Sequence, residues 1–351
     1  MAQTVAGAPA LLHEAGAQGG PSTPQERRHG QRHTYGAIDL GTNNCRLLIA
    51  RPTGSSFTVV DAFSRVVRLG EGLSQTGKLS KEAMDRTSAA LAICAEKLRR
   101  RNVSLSRAVA TEACRRAVNG RDFVERVYRE TGIALDIIPP QEEARLAMLG
   151  CHRLLEPGDG PALIFDIGGG STELVLVDTD GDATPRIKSW WSAPWGVVSL
   201  TESEGRDFKD ADERLAGYMR MRERVRHAFR RFVDLLPTDK TDIRLMGTSG
   251  TVTTLASVHL ALPSYDRRAV DGLQVPVGDM RRISTTIAEM DLAGRSGLPC
   301  IGAERADMVV AGCAILEAIL DIWPAERLGI ADRGIREGIL RSLMARDGYV
   351  L

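Results

Sequence analysis

The chain has 351 residues, of which 43% are hydrophobic, and its formal net charge is +1. This length and composition are ordinary for a globular protein and leave room for two domains with separate cores. Because the net charge is close to zero, no overall field attracts nucleic acid or a membrane surface, and neither is expected as a partner.

Residues 1–33 are rich in Ala, Gly, Gln and Pro and lack a basic start followed by an apolar core. We therefore expect a disordered tail and not a signal peptide. The following part of the chain alternates between runs typical of strands and runs typical of amphipathic helices. We predict strands at 35–39, 45–51, 57–63, 65–69, 107–111 and 134–138, and helices at 81–100, 120–131 and 141–151.

The second half repeats this plan after a turn predicted at Glu156–Gly160. Strands interleaved with helices, twice over, indicate an α/β protein of two similar lobes. We place lobe I at residues 34–143, completed by a C-terminal helix within 338–351, and lobe II at residues 144–337. The elements predicted in this half are strands at 162–167, 172–178, 186–191, 243–246 and 328–331, and helices at 210–236, 251–260, 305–320 and 336–346.

One short phrase occurs twice, as Ile38–Asn43 and as Phe165–Gly170, with its aspartates at positions 39 and 166. An apolar run leads into each aspartate and another follows it, so each copy predicts a strand, a tight glycine turn and a second strand. Glycines let backbone N–H groups converge on an anion because no Cβ blocks the approach. Two copies at domain spacing therefore indicate duplicated halves that face each other across a phosphate.

The cysteines and histidines exclude several kinds of site. The six cysteines are scattered without a C-x-x-C pair, so buried, reduced thiols in a cytoplasmic protein are expected. No histidine occurs in H-E-x-x-H or in His-Asp, which argues against a zinc hydrolase and a His-Asp metal phosphohydrolase. The longest apolar stretch, Met308–Leu320, contains Glu317 and is too short to span a bilayer.

Five motifs follow one another along most of the chain: Ala37–Asn43, Ala110–Arg115, Glu142–Arg145, Asp166–Glu173 and Gly247–Thr251. Each is weak alone, but the series resembles the exopolyphosphatase/guanosine pentaphosphate phosphatase family of bacteria, which belongs to the actin-like superfamily. The resemblance implies two duplicated RNase H-like lobes with a central cleft. Because the chain ends soon after Arg336–Ile339, it is expected to be similar to the short, two-lobed members.

The resemblance also implies a magnesium-dependent enzyme. It would hydrolyse the terminal phosphoryl group of inorganic polyphosphate, the 5′-phosphate of guanosine pentaphosphate, or both. The motifs do not indicate which of the two substrates is preferred. Whether the protein forms a homodimer also stays open at this point. Two alternatives stay open: a kinase of the actin-like fold, and a non-catalytic sensor that binds a guanosine alarmone. The acidic and glycine motifs disfavour the sensor, because binding alone does not require a correctly placed base.

The Glu142–Arg145 motif contains the candidate base. Aligned on the family motif, Glu143 matches the glutamate that deprotonates the attacking water. It is expected in the first turn of a helix, where the helix dipole also favours an acidic residue of no catalytic role. Glu142 is the nearest rival, one residue away and about 100° around the helix.

Three further carboxylates are candidate metal ligands. Asp39 and Asp166 are expected to bind magnesium or its water, although an aspartate in a turn often bonds its own backbone instead. Glu173 resembles a family position near the metal, but strand alternation can equally turn it toward solvent.

The candidate phosphate-binding groups are an arginine and three backbone segments. Arg115 matches a family arginine near the bound phosphates, where a guanidinium gives bidentate contact; the alternative is a surface residue beside Arg116. The two glycine turns offer backbone N–H groups, and Gly247–Gly250 opens a helix that can hold an anion or simply make a structural turn. The residues assigned are Thr42, Asn43, Arg115, Gly168, Gly169, Gly170, Ser171, Gly247, Thr248, Ser249 and Gly250.

Two other patterns need an interpretation. Gly72–Leu79 matches G-x4-G-K of a P-loop but places Leu79 where Ser or Thr must bind magnesium, so we predict an ordinary turn. Arg222, Arg226 and Arg230 share one helix face at four-residue spacing. That face is either a solvated surface or a track for a long polyanion.

Overall fold

The computed structural model describes residues 33–155, 160–179, 185–205, 208, 210–234 and 243–350. The tail predicted at 1–33 lies outside the described residues except for residue 33, as do most of the turn at Glu156–Gly160 and the end of the helix at 210–236. All six cysteines are described; none forms a disulfide, and five are buried. Within the described ranges, no helix is long and apolar enough to cross a membrane.

Five strands form the first sheet: β1 (Tyr35–Leu40), β2 (Asn44–Thr53), β3 (Ser56–Val66), β4 (Leu105–Ala110) and β5 (Leu135–Ile137). Their order is β3-β2-β1-β4-β5; β1 to β3 are antiparallel, and β4 and β5 run parallel to β1. A single strand, β3, replaces the two predicted at 57–63 and 65–69. The helices of this half are α1 (Leu73–Thr76), α2 (Lys81–Arg100), α3 (Glu112–Arg116), α4 (Gly120–Thr131) and α5 (Pro140–Cys151).

Six strands form the second sheet: β6 (Pro161–Ile167), β7 (Thr172–Asp178), β8 (Arg186–Ala193), β9 (Arg244–Thr248), β10 (Gln274–Pro276) and β11 (Arg327–Ala331). Their order is β10-β11-β9-β6-β7-β8. Apart from the edge strand β10, the order and directions repeat those of the first sheet, with β6, β7, β8, β9 and β11 in the places of β1 to β5. The prediction of two duplicated RNase H-like lobes is confirmed.

Eight helices accompany the second sheet in the described residues: α6 (Val197–Glu204), α7 (Ala211–Val233), α8 (Gly250–His259), α9 (Arg267–Val270), α10 (Val277–Glu289), α11 (Leu292–Ser296), α12 (Val309–Ile322) and α13 (Ile335–Arg346). The helix predicted at 305–320 begins only at Val309, because turns occupy the preceding residues and Gly302 has a φ of 66°. Sequence analysis missed four of these eight helices, α6, α9, α10 and α11, and the short α1 and α3 of the first half. In α10, however, Met280, Ile283 and Ile287 do follow a helical spacing and are buried.

Helix α5 lies between the two sheets. Leu146 and Ala147 pack, together with α13, against the first sheet. Ala144, Met148 and Cys151 pack against strands of the second sheet. Because α5 is buried on both sides, its first turn opens at the seam between the sheets. The lobe boundary at residues 143 and 144 stays a prediction.

Two glycines allow α5 and α13 to approach closely. A Cβ on Gly338 would lie 2.0 Å from the carbonyl oxygen of Leu146, and one on Gly150 would lie 2.0 Å from that of Gly334. Both obstacles are backbone atoms, so the helices themselves would have to separate to accept a side chain. The position of α5 therefore depends on this contact.

The rejected P-loop pattern is a turn, as predicted. Residues 73–76 form a single helical turn between Gly72 and Gly77, which have φ values of 73° and 69°. Leu79 is buried in the first core. Because Leu73 and Leu79 are both buried in the first core, we assign this segment a structural role and not a phosphate-binding role.

The arginine-rich face of α7 is largely neutralised. Arg222 Nη2 lies 2.6 Å from a carboxylate oxygen of Asp321 and 3.8 Å from one of Glu317. Arg226 pairs with Glu223 at 2.8 Å. These ion pairs favour the interpretation as an ordinary helix surface over a track for a polyanion.

Candidate active site

A cleft opens between the two lobes where the two glycine turns meet. In each turn the first glycine, Gly41 or Gly168, donates its N–H to the carbonyl oxygen three residues later at 2.9 Å. The turns are in contact, since a Cβ on Gly169 would lie 2.9 Å from Thr42 Cβ and one on Gly170 would lie 2.8 Å from Thr42 Oγ1. The second turn therefore needs glycine in order to pack against the first.

Two polar atoms of the first turn are buried without a partner. In the described part of the chain, Oγ1 of Thr42 and Oδ1 of Asn43 make no hydrogen bond. Both residues line the cleft, opposite Gly168–Ser171. A buried polar atom without a partner costs free energy, so these atoms are suited to a ligand that enters the cleft.

Five carboxylates line the cleft: Asp39, Glu112, Glu143, Asp166 and Glu173. Glu173 is 2% exposed and accepts hydrogen bonds from Ser171 (2.7 Å) and Ser192 (2.9 Å), so strand alternation does not turn it toward solvent. Burial, together with the neighbouring carboxylates, raises the pKa of Asp166 to about 8. Burial also raises the pKa of Glu173 to about 7. Such crowding of negative charge favours a bound cation.

Glu143 and Glu142 have different surroundings. Glu143 is 5% exposed, and its carboxylate accepts a hydrogen bond from Arg115 at 3.1 Å. Burial, followed by the charge of Glu173, raises the pKa of Glu143 well above its ordinary value. Glu142 instead pairs with Arg145 (2.7 Å) and Arg107 (2.8 Å), and these hydrogen bonds lower its pKa. Of the two, Glu143 has the environment of a general base.

Arg115 lies directly behind Glu143. Its Nη1 donates to the carbonyl oxygen of Ile138 at 2.8 Å and to Glu143 at 3.1 Å, and its Nη2 donates to Glu112 at 2.5 Å. A guanidinium engaged by two carboxylates is poorly placed to clamp a phosphate as well. The contacts support a role in positioning Glu143, where sequence analysis predicted a phosphate contact.

We expect Arg115→Gln to move the acidic limb of the pH–rate profile to higher pH. The guanidinium lowers the pKa of Glu143, so without it Glu143 stays protonated, and inactive as a base, up to a higher pH. The measurement is kcat/KM against pH at saturating magnesium, with Arg115→Lys expected to shift the limb less. An unchanged acidic limb would show that Arg115 does not act through Glu143.

The four residues of the Gly247–Gly250 segment have different surroundings, and not all of them line the cleft. Gly247 is part of β9 and packs on the ring of Phe165, where a Cβ would come within 2.7 Å. Thr248 lines an adjoining cavity, whereas Ser249 and Gly250 line the cleft itself. Ser249 caps α8 with a φ of 145°, a backbone conformation that favours glycine. Such strain occurs mostly at functional sites.

Sequence analysis missed several arginines at the site. Arg46 lies on β2 opposite Asp39, and Arg305 donates to Thr254 Oγ1 at 3.1 Å. Both line the cleft and the adjoining cavity, which Arg336 also lines. Within the described ranges none of the three has a carboxylate within 4.0 Å, and burial lowers the pKa of Arg46, with the charge of Arg336 adding to it.

The internal repeat contained a signal for Arg46. It stands at the same distance after Asp39 as Glu173 does after Asp166, so the two copies place a cation and an acid at equivalent positions. Arg305 has no such signal, because it lies in an irregular segment far along the chain.

The carboxylates suit magnesium. Among the described residues, no three His, Cys, Asp or Glu side chains form a ready cage for a metal ion. Magnesium seldom needs one, since it usually keeps several waters and takes one or two carboxylates together with substrate phosphates. Asp39, Asp166 and Glu173 line one cleft, the first two partly buried and the third fully buried, and their carboxylates fit that mode of binding.

Asp166→Asn should separate the metal role from turn capping. The folded-state pKa of Asp166 is raised from 3.8 to about 8, so its stabilising contribution is full below pH 3.8 and lost as the pH rises through 8. In EDTA at pH 9 we therefore expect Asp166→Asn to melt several degrees above the wild type, with a markedly smaller difference at pH 5, which lies near the start of this pH range. Magnesium should raise the Tm of the wild type and barely that of the variant; equal magnesium responses would assign Asp166 to turn capping.

Comparisons with known proteins give the family and the fold of the chain. A sequence profile of the Ppx/GppA phosphatase family matches residues 48–347. Exopolyphosphatase 2 of Mycobacterium tuberculosis is 31% identical over 323 residues, covering 88% of this chain and 97% of its own length. The crystal structure of the Aquifex aeolicus Ppx/GppA family member superposes with a TM-score of 0.74 at 29% identity, covering 91% of this chain and 99% of that one. An exopolyphosphatase from Cytophaga hutchinsonii shares the fold, with a TM-score of 0.78 at 24% identity over 90% of this chain and 98% of its own.

Proposed function

The chain belongs to the Ppx/GppA phosphatase family, and we propose that it is a magnesium-dependent hydrolase that releases terminal phosphate from a phosphoanhydride chain. The observation that carries the proposal is the placement of Glu143. It is the buried first-turn carboxylate of the helix between the lobes, it is held by Arg115, and it faces the paired glycine turns. A binding protein has no need of such a base.

The reaction needs a water molecule, a proton acceptor and a cradle for the phosphoryl group. Glu143 accepts the proton of the attacking water, and Arg115 holds its carboxylate in place. The hydroxyl of Thr42, the side-chain amide N–H of Asn43 and the backbone N–H groups of Gly169–Ser171 would donate to the oxygens of the terminal phosphoryl group, whereas the N–H of Gly168 is already donated to Ser171. Bound by Asp39, Asp166 and Glu173, magnesium would neutralise charge on the phosphate oxygens. Closure of the lobes excludes other water and aligns the attack.

The rest of the substrate would lie in the adjoining cavity. Arg46 and Arg305 stand at its junction with the cleft, and Arg336 lies further along, whereas Arg333 is paired with Asp271 at 2.7 Å. This distribution of positive charge suits a chain of linked phosphates, because each internal phosphate carries about one negative charge. We infer that inorganic polyphosphate is a substrate, in keeping with the activity for which the M. tuberculosis relative is named, and that guanosine pentaphosphate competes for the same cavity.

Phosphate release from both substrates, side by side, tests the proposal. We expect release in magnesium, none in EDTA, and strongly reduced release by Glu143→Gln in magnesium. Transfer of the phosphoryl group to an added acceptor in preference to water would indicate the kinase alternative. Failure on both substrates in magnesium would refute the hydrolase.

A further inference from the structure

A second pocket lies on the far side of residues 303–311 from the cleft. Met221, Val310 and Ala311 form an apolar floor, and Arg214 and Arg295 stand beside it. We call this the side pocket. It lies among α6, α7, α10, α11 and the start of α12, and the proposed reaction does not use it.

Three arginines line the side pocket, and two of them, Arg214 and Arg295, make no ion pair within the described ranges. Nε of Arg214 donates to the carbonyl oxygen of Glu289 at 3.0 Å, and Nε of Arg295 donates to that of Asp291 at 3.3 Å. In the described part of the chain, neither guanidinium has a carboxylate within 4.0 Å, and both terminal nitrogens of each are left without a hydrogen bond. Burial lowers the pKa of Arg295, and the charge of Arg214 lowers it further.

The charges of Asp291 and Asp307 act to raise the pKa of Arg295, but neither carboxylate forms an ion pair with it. Asp307 lines the pocket but lies 3.5 Å from Arg68 of the first lobe. Arg214 and Arg295 are both partly buried and repel each other, and an anion bound between them would relieve that repulsion. The arrangement is therefore that of a binding site rather than of a structural ion pair.

The floor restricts the class of ligand. A guanidinium binds a phosphate or carboxylate group through two parallel hydrogen bonds. An inorganic anion would satisfy the arginines but leave the apolar floor uncovered, whereas a neutral apolar molecule would leave the charges unpaired. A ligand that carries both an anionic group and an apolar body would pair with the arginines and also cover the apolar floor.

We propose that the side pocket binds a small organic anion, with a phosphate or carboxylate group between Arg214 and Arg295 and an apolar body on Met221, Val310 and Ala311. The ligand would sit against the cleft wall, because Ala303 and Asp307 line the side pocket while Arg305 and Met308 of the same segment line the cleft. The proposal concerns binding alone and does not depend on the proposed hydrolase activity.

The proposed ligand site can be tested by calorimetric titration with phenylphosphonate. This probe carries an acidic phosphonate and an apolar ring. The titration uses full-length Glu143→Gln protein with magnesium and tripolyphosphate, so that the catalytic cleft is filled and not turned over. We expect saturable binding that Arg295→Met weakens at least about tenfold, the loss typical of a charged hydrogen-bonding group. Benzoate should bind in the same way if a carboxylate is the natural group, and inorganic phosphate should bind more weakly than phenylphosphonate.

The matched control is Arg282→Met, which removes an exposed arginine that pairs with Asp279 on α10; it should leave phenylphosphonate binding unchanged. In anion-free buffer, Arg295→Met should raise the Tm, because it removes an uncompensated charge, whereas an arginine of purely structural role would lower it. Three results would overturn the proposal: no phenylphosphonate binding, equal binding by Arg295→Met and Arg282→Met, or binding that appears only when tripolyphosphate is left out.

Discussion

Glu143→Gln should lower kcat by about two to four powers of ten while leaving substrate binding nearly intact. The amide keeps the size of the side chain and can still contact Arg115, but it cannot accept a proton from water. The measurement is steady-state phosphate release from polyphosphate, combined with binding of the same substrate by the inactive variant.

Glu142→Gln is the control, since it is the adjacent residue with the same chemistry. Its ion pairs with Arg107 and Arg145 are partly exposed, so we expect a small loss of stability, below about 1 kcal/mol, and a near-normal rate. A dead Glu142→Gln beside an active Glu143→Gln would mean that the base is assigned to the wrong carboxylate. Inactivity of both would point to the helix rather than to either side chain.

Gly338→Ala should lower the free energy of unfolding by about 3 kcal/mol, near the upper end of the usual range for overpacking. The added Cβ would meet the carbonyl oxygen of Leu146 at 2.0 Å, and a backbone atom in a packed helix cannot move aside as a flexible side chain can. Separation of α13 from α5 would also displace Glu143, which lies one turn before Leu146. We therefore expect a reduced rate along with the lower stability, measured by urea denaturation and phosphate release.

Gly278→Ala is the control, because the same substitution is expected not to destabilise the protein at this position. Gly278 lies on α10 with no atom within 4 Å of an added Cβ, so alanine should be neutral or stabilise the helix by up to about 1 kcal/mol. Equal destabilisation of both variants would contradict the steric explanation at Gly338. A stabilised Gly338→Ala would show that α5 and α13 are not held at this distance in solution.

Much of the fold follows from local patterns in the sequence. The two copies of the Asp–Gly phrase, with apolar runs on both sides, predict a strand pair in each lobe, and both pairs are present as β1–β2 and β6–β7. Pro140 and the acidic residues after it predict a helix start, which places Glu143 in the first turn of α5. These signals are readable because strand alternation, glycine turns and helix caps depend on residues close together in the chain.

The partners of the site residues were decided only by the tertiary structure. Arg115 and Glu143 lie 28 positions apart in the numbering, and no local pattern indicates that they share a hydrogen bond. In the same way, Arg46 and Arg305 come from different lobes and meet at one cavity, while Gly247 of the expected anion loop is turned into the core against Phe165. The sequence determined which elements form and which polar groups they carry. The packing of the two sheets around α5 decided which of those groups face the cleft, because burial and charge act through space and not along the chain.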